Sequence, residues 1–114
     1  MQNSPTRIEP IDYLVIGHIT QDVTPNGLRL GGTATYSALT AKAIGLRPGI
    51  VTCHHKDLDL APLAGIPIIS HYSEFTTTFK NINLKGKRVQ YIQHQADPIE
   101  LWMIPETWKA APIV

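Results

Sequence analysis

The chain has 114 residues, of which 43% are hydrophobic and 17% charged, and a formal net charge of +1. That is the length of one domain, apolar enough to fold around a core, with no cluster of like charges to mark a nucleic-acid or anionic-membrane surface. One cysteine, Cys53, excludes an intrachain disulfide and fits a reducing compartment, and no apolar run nears the ~18–20 residues that cross a bilayer, so the chain reads as cytoplasmic, with neither nucleic acid nor membrane as a partner.

Residues 1–11 are polar, include Pro5 and Pro10, lack the apolar stretch of a signal peptide and are expected to be flexible. Tyr13-Leu14-Val15-Ile16-Gly17 is a short continuous apolar run, as in a strand buried within a parallel sheet. Residues 19–23 and 28–30 flank Thr24-Pro25-Asn26-Gly27. Asn-Gly favours the positive φ of a tight turn, so these pieces are predicted to pair antiparallel and to project from the sheet. Gly31-Gly32 break the pattern. Thr33 is a candidate N-cap, residues 34–44 have helical spacing with Tyr36, Leu39 and Ala43 on one apolar stripe, and Gly45 ends the helix. Pro48-Gly49-Ile50-Val51-Thr52-Cys53 reads as the next strand, completing a right-handed parallel crossover. Residues 59–64 form at most a helical turn, and Ile66-Pro67-Ile68-Ile69 reads as a further buried strand. Residues 75–84 and 87–94, joined by Lys85-Gly86, read as a second hairpin of mixed polarity on both faces, standing on the surface or arching over a site. Residues 105–111 can form a short helix, and Pro112-Ile113-Val114 looks like the opening of one more strand. The predicted fold class is α/β: a parallel sheet, one crossover helix and a small β lid.

The residues that carry chemistry cluster early. Asp22 lies on the first hairpin, and a carboxylate accepts hydrogen bonds from vicinal hydroxyls. Gly31 and Gly32 precede a helix whose first N–H groups are free to meet an oxygen-rich ligand. Arg88, on the second hairpin, faces either a ligand anion or solvent. Other signals are weak. Gly17-His18 lacks the spacing of a dinucleotide fingerprint, and His54-His55 point to opposite faces of a strand without a third ligand, so no metal site is assigned. His18, His71 and His94 are isolated. Cys53 reads as a small buried hydrophobe, and Trp102 and Trp108 as packing residues.

Asp22, the Gly31-Gly32 pair and the helix opening Thr33-Ala34-Thr35-Tyr36 resemble the N-terminal part of the ribokinase-like (PfkB) sugar kinases. Thr76-Thr77-Thr78-Phe79 and Gly86-Lys87-Arg88 resemble the second pair of lid strands of that family, and the resemblance runs through nearly the whole chain after Asp12. It implies ATP-dependent phosphorylation of a hydroxyl on a sugar, polyol or nucleoside, with Mg2+. Asp22 would accept from substrate hydroxyls, and Gly31 and Gly32 would let the substrate lie against backbone amides. Tyr36 stands where ribokinases have a sugar-binding asparagine, which argues against ribose. The family's Gly-Ala-Gly-Asp segment, with its catalytic base, is absent from these 114 residues. The expectation is therefore an apparently truncated chain, in which residues 1–114 are the substrate-binding and lid portion of such a kinase. No catalytic residue is assigned, and neither ATP nor Mg2+ is expected to bind it tightly alone. A homodimer could form through the lid edges. Two alternatives stay open: a non-catalytic polyol-binding or partner-completing module, and a dinucleotide-binding fragment.

Overall fold

A computed structural model describes residues 8–114. Along the chain run β1 (Tyr13–Ile16), β2 (Thr20–Thr24), β3 (Gly27–Gly31), α1 (Thr33–Ala43), β4 (Pro48–His54), β5 (Ile68–Tyr72), β6 (Thr78–Leu84) and β7 (Lys87–His94). Short 3₁₀ segments occur at Ala61–Leu63, Leu101–Met103 and Glu106–Ala110. The strands form two sheets. The first is parallel, in the order β1-β4-β5, with α1 in the crossover from β1 to β4. Ile113 makes a parallel bridge with Tyr13 on the free edge of β1, where Leu14 N–H donates to Ile113 O at 2.8 Å. The strand opening read at Pro112-Ile113-Val114 thus sits beside β1.

This sheet has a core on each face, which is why β4 is buried along its whole length. Alternate residues serve the two sides. Val15 and Ile50 face Ile19, Ala34, Ala38, Leu58, Leu63 and Ile66. Leu14 and Val51 face Ile11, Ile104 and Trp108. Trp108 lies over Gly49, where a Cβ would come within 2.8 Å of the indole, and its Nε1–H donates to Glu9 O at 3.0 Å. Residues 1–7 of the segment expected to be flexible lie outside the described residues, whereas Ile11 is buried. Asp12 clasps Arg47 at 3.2 Å, and the hydrogen bonds from the Arg47 side chain and backbone N–H hold its carboxyl below the usual range.

Several local readings are corrected. First, the face that α1 buries is Ala34, Thr35, Ala38 and Ala41, while Tyr36, Leu39 and Ile44 are exposed. Small residues let the helix axis approach the sheet; the larger apolar ones could not fit that gap. Second, the N-cap is Gly32 rather than Thr33, and no side chain caps the helix. Third, Trp102 does not pack into the core: it is exposed, edge-on to His71, with Nε1–H donating to Glu100. The helix read at residues 105–111 is a 3₁₀ segment, because Pro105 precedes it and Pro112 follows.

The second sheet is the lid, in the order β3-β2-β6-β7. Both hairpins form as read. Gly27 takes φ 116° at the first turn, and Lys85 and Gly86 take φ 51° and 77° in a two-residue loop that suits the strand twist. The hairpins are not independent, since β2 and β6 pair in parallel and make one sheet of them. Thr76, Thr77 and Thr78, read as part of a polar surface hairpin, are buried at its root. The lid lengthens the molecule: the radius of gyration is 15.4 Å, against about 13 Å for a compact chain of this size. Among the described residues no helix is long and apolar enough to cross a membrane.

Candidate functional site

The lid stands beyond the carboxyl end of β1, where ligands bind in open parallel sheets. Its register decides which side chains face the α1 N-terminus. Asp22 pairs with Phe79, Asn81 with Gln90 and Asn83 with Arg88. Cross-strand partners share a face, as do residues two apart, so Asp22, Phe79, Gln90 and Arg88 stand on one side of the lid. Opposite them, the start of α1 presents Gly32, Thr33, Tyr36 and Ser37. Between the two walls is a cleft of about 390 Å³ lined by all eight.

Of the sequence-predicted site residues, Asp22, Gly32 and Arg88 line this cleft directly. Gly31 lies immediately behind Asp22. A Cβ there would collide with the carboxylate, whose Cγ would be only 2.9 Å away. Glycine at 31 is therefore what allows the carboxylate to rest on the chain entering the helix. Gly32 is required for a different reason. It holds φ 89°, and a Cβ would come 2.8 Å from His18 O. The first helical bond, Tyr36 N–H to Gly32 O at 3.3 Å, and the buried Thr35 hydroxyl donating to Gly31 O at 2.7 Å fix the glycine pair to the helix. The first-turn N–H groups lack intrahelical partners by geometry and can serve a ligand oxygen. Thr20 Oγ1 lies 3.5 Å from Asp22 Oδ1 and steadies the carboxylate.

The sequence reading missed Phe79 and Gln90 as cleft residues, whereas it had set Tyr36 beside the substrate. Tyr36 had also been placed on an apolar stripe, yet it is 51% exposed and flanks Gly32. Phe79 and Gln90 were legible: once Lys85-Gly86 fixes the turn, period-two alternation puts them on the same face as Arg88.

A neighbouring cleft of about 520 Å³ shares Gly32, Thr33, Ser37 and Phe79 with the first and runs to Gly17 and His18 at the end of β1. His18 ties the base of the lid to the body. Its Nδ1 lies 3.1 Å from Thr77 Oγ1 and its Nε2 2.8 Å from Asp97 O, while Thr77 Oγ1 accepts from Ala96 N–H at 2.9 Å. Gly17, on which a dinucleotide reading would rest, faces Ala34, whose Cβ would be 3.4 Å from an added one. A larger hollow of about 790 Å³ lies at the opposite, amino end of the strands, among Pro10, Leu46, Pro67 and Trp108. It is mostly apolar, with Glu9, Lys42 and Arg47 also in its lining, and lies at the end of the sheet opposite to where ligands bind in open parallel sheets.

The remaining candidates have structural roles. His54 is buried, with Nε2 2.8 Å from Ser70 Oγ and Nδ1 2.7 Å from His55 O. Burial, then the charges of Asp97 and Glu100, push the Cys53 thiol above its ordinary pKa, so it is no thiolate nucleophile at neutral pH. Among the described residues no group of three or more His, Cys, Asp or Glu side chains is placed to hold a metal ion. No ATP–Mg2+ site is assigned to the described residues.

No protein-family model matches the chain, and no curated protein matches it. Solved structures do. A pyrophosphate-dependent kinase in the ribokinase family, complexed with a pyrophosphate analogue and myo-inositol, matches with a TM-score of 0.62 and 20% identity over 80% of this chain and 35% of that one. A sulfate complex of a pyrophosphate-dependent kinase in the ribokinase family gives a TM-score of 0.64 and 20% identity over 80% and 36% of the two chains. A third, from the conversion of a pyrophosphate-dependent myo-inositol-1 kinase into a myo-inositol-3 kinase, gives 0.59 and 19% over 80% and 33%. The chain therefore spans about a third of the length of these kinases, and the part it spans, a parallel sheet with one crossover helix and a β lid, has the ribokinase-like fold.

Proposed function

We propose that this chain holds the acceptor of a ribokinase-like small-molecule kinase, a sugar, cyclitol or nucleoside that receives phosphate on a hydroxyl. One observation carries the reading: the Asp22 carboxylate rests against the side-chain-free Gly31 at the entrance to α1 and lines a cleft with Gly32. Asp22 accepts from two neighbouring hydroxyls of the acceptor, and first-turn N–H groups of α1 donate to its oxygens. Tyr36 and Phe79 offer flat apolar walls to the C–H faces of a ring. The cleft, at about 390 Å³, is at the small end for ligand sites, which suits one sugar-sized ring. In phosphoryl transfer such contacts act by orienting the attacking oxygen. The donor is ATP with Mg2+, as the resemblance implies, or pyrophosphate, on which the similar kinases depend. No step is routed through it, because no site for it is assigned to the described residues.

The test is binding. Calorimetric titration of the 114-residue chain with a panel of sugars, myo-inositol and nucleosides is expected to find at least one ligand. Asp22→Asn should weaken that ligand by about ten- to one-hundred-fold, the loss expected for charge-assisted hydrogen bonds. An unchanged affinity in the variant removes Asp22 from the site.

A further inference from the structure

We infer that the acceptor bound in this cleft carries a negative charge: a polyol with a carboxylate or phosphate group, its hydroxyls on Asp22 and its anion on Arg88. The inference rests on the polyol reading above and adds the substrate's charge. The cleft lining holds two charged residues, Asp22 and Arg88, and Arg29, the cross-strand neighbour of Asp22, stands on the same face of the lid beside it. The helix wall opposite contributes Thr33, Tyr36 and Ser37, none of them charged at neutral pH. Arg88 has no carboxylate partner among the described residues; its side chain donates one hydrogen bond there, to Asn81 Oδ1 at a long 3.4 Å.

Distance separates the two charges of the cleft. Arg88 stands opposite Asn83, four residues along β6 from Phe79, the partner of Asp22. At roughly 3.3 Å per residue their backbones are about 13 Å apart along the strands. The arginine side chain bridges part of that distance and still makes no ion pair with Asp22. What remains is a gap for a small molecule with hydroxyls at one end and an acidic group at the other. A guanidinium matches a carboxylate or phosphate with two parallel hydrogen bonds, a fit that a neutral hydroxyl cannot supply. A neutral polyol would fill the cleft and leave that cation without a counter-charge.

Matched ligands test this by titration of the full 114-residue chain. Sorbitol is compared with gluconate and with sorbitol 6-phosphate, and myo-inositol with a myo-inositol monophosphate. The expected result is that an acidic member of a series binds about ten-fold or more tightly than its neutral parent. Raising the salt should shrink that ratio, since an open cleft screens charge. Arg88→Met should bring the ratio close to one, and Asp22→Asn should weaken acidic and neutral members alike. The gluconate and phosphate arms distinguish the two anions. Equal affinity for acidic and neutral members overturns the inference and leaves the polyol reading standing. Binding of inorganic phosphate or pyrophosphate that competes with the acidic polyol and is lost in Arg88→Met, without any effect on the ratio, also overturns it, because Arg88 would then serve a donor. Failure of every polyol to bind overturns both readings.

Discussion

The two adjacent glycines do separate work, and substituting them should have separable effects. Gly32 combines φ 89° with a backbone oxygen, His18 O, 2.8 Å from any Cβ. Neither the dihedral nor the carbonyl can yield cheaply, so Gly32→Ala is expected to destabilise the chain by about 1–3 kcal/mol in urea unfolding. Gly31 meets only the far end of the Asp22 side chain, which can swing aside. Gly31→Ala should therefore cost little stability but displace the carboxylate and weaken polyol binding about as far as Asp22→Asn. A Gly31→Ala chain that binds as wild type would disconnect Gly31 from the site. The nearness of Asp22 to Gly31 was legible in the sequence, since the hairpin turned at Asn26-Gly27 lays their two strands side by side. The cap was not: Thr33 has the right side chain for it, but the helix begins from a left-handed Gly32. The choice was set by how closely residue 32 must pass the His18 carbonyl, a tertiary distance that residue types do not reveal.

At the scale of elements, the strands and turns of the lid were readable and its faces were not. Asn26-Gly27 and Lys85-Gly86 announce both hairpins. Taken separately they look mixed in polarity. Joined by the parallel pairing of β2 and β6, they resolve into a cleft face bearing Asp22, Asn81, Arg88 and Gln90, and a back face bearing Val23, Leu28, Ile82, Leu84, Val89 and Tyr91. That pairing links strands far apart in sequence, so local periodicity could not supply it. The helix was misread for a related reason. The apolar stripe was drawn through Tyr36, Leu39 and Ala43, whereas Ala34, Ala38 and Ala41 are the face on which α1 seats. The lid's attachment is polar, through Thr77, whose buried hydroxyl accepts from Ala96 N–H and meets His18. Thr77→Val keeps the shape and removes the acceptor, leaving that buried N–H unpaired. A loss of about 1–3 kcal/mol is expected in urea unfolding, with Thr77→Ser close to wild type. Equal stability of the valine and threonine chains would show that the lid is held by packing alone.

Across the whole molecule the two sheets differ in how firmly they are held, and that difference serves the proposed function. The parallel sheet is covered on both faces, by the α1 cluster on one side and the Trp108 cluster on the other, and β4 is buried from end to end between two hydrogen-bonded neighbours. Among the described residues the lid has no second layer: β7 is exposed along nearly its full length and pairs only with β6. Segments with few buried contacts open at lower free energy than the core. Native-state hydrogen exchange should therefore rank the amides. Those of Ile50, Val51, Thr52 and Cys53 in β4 should exchange only through global unfolding, with protection that falls in step with global stability in denaturant. Those of β6 and β7 should exchange through a smaller opening that denaturant scarcely affects. A bound polyol touching both the lid wall and the start of α1 would slow the second group more than the first, because it binds only the closed arrangement. If the β7 amides are as slow as those of β4 without ligand, the lid is part of the rigid core, and acceptor entry cannot depend on its opening.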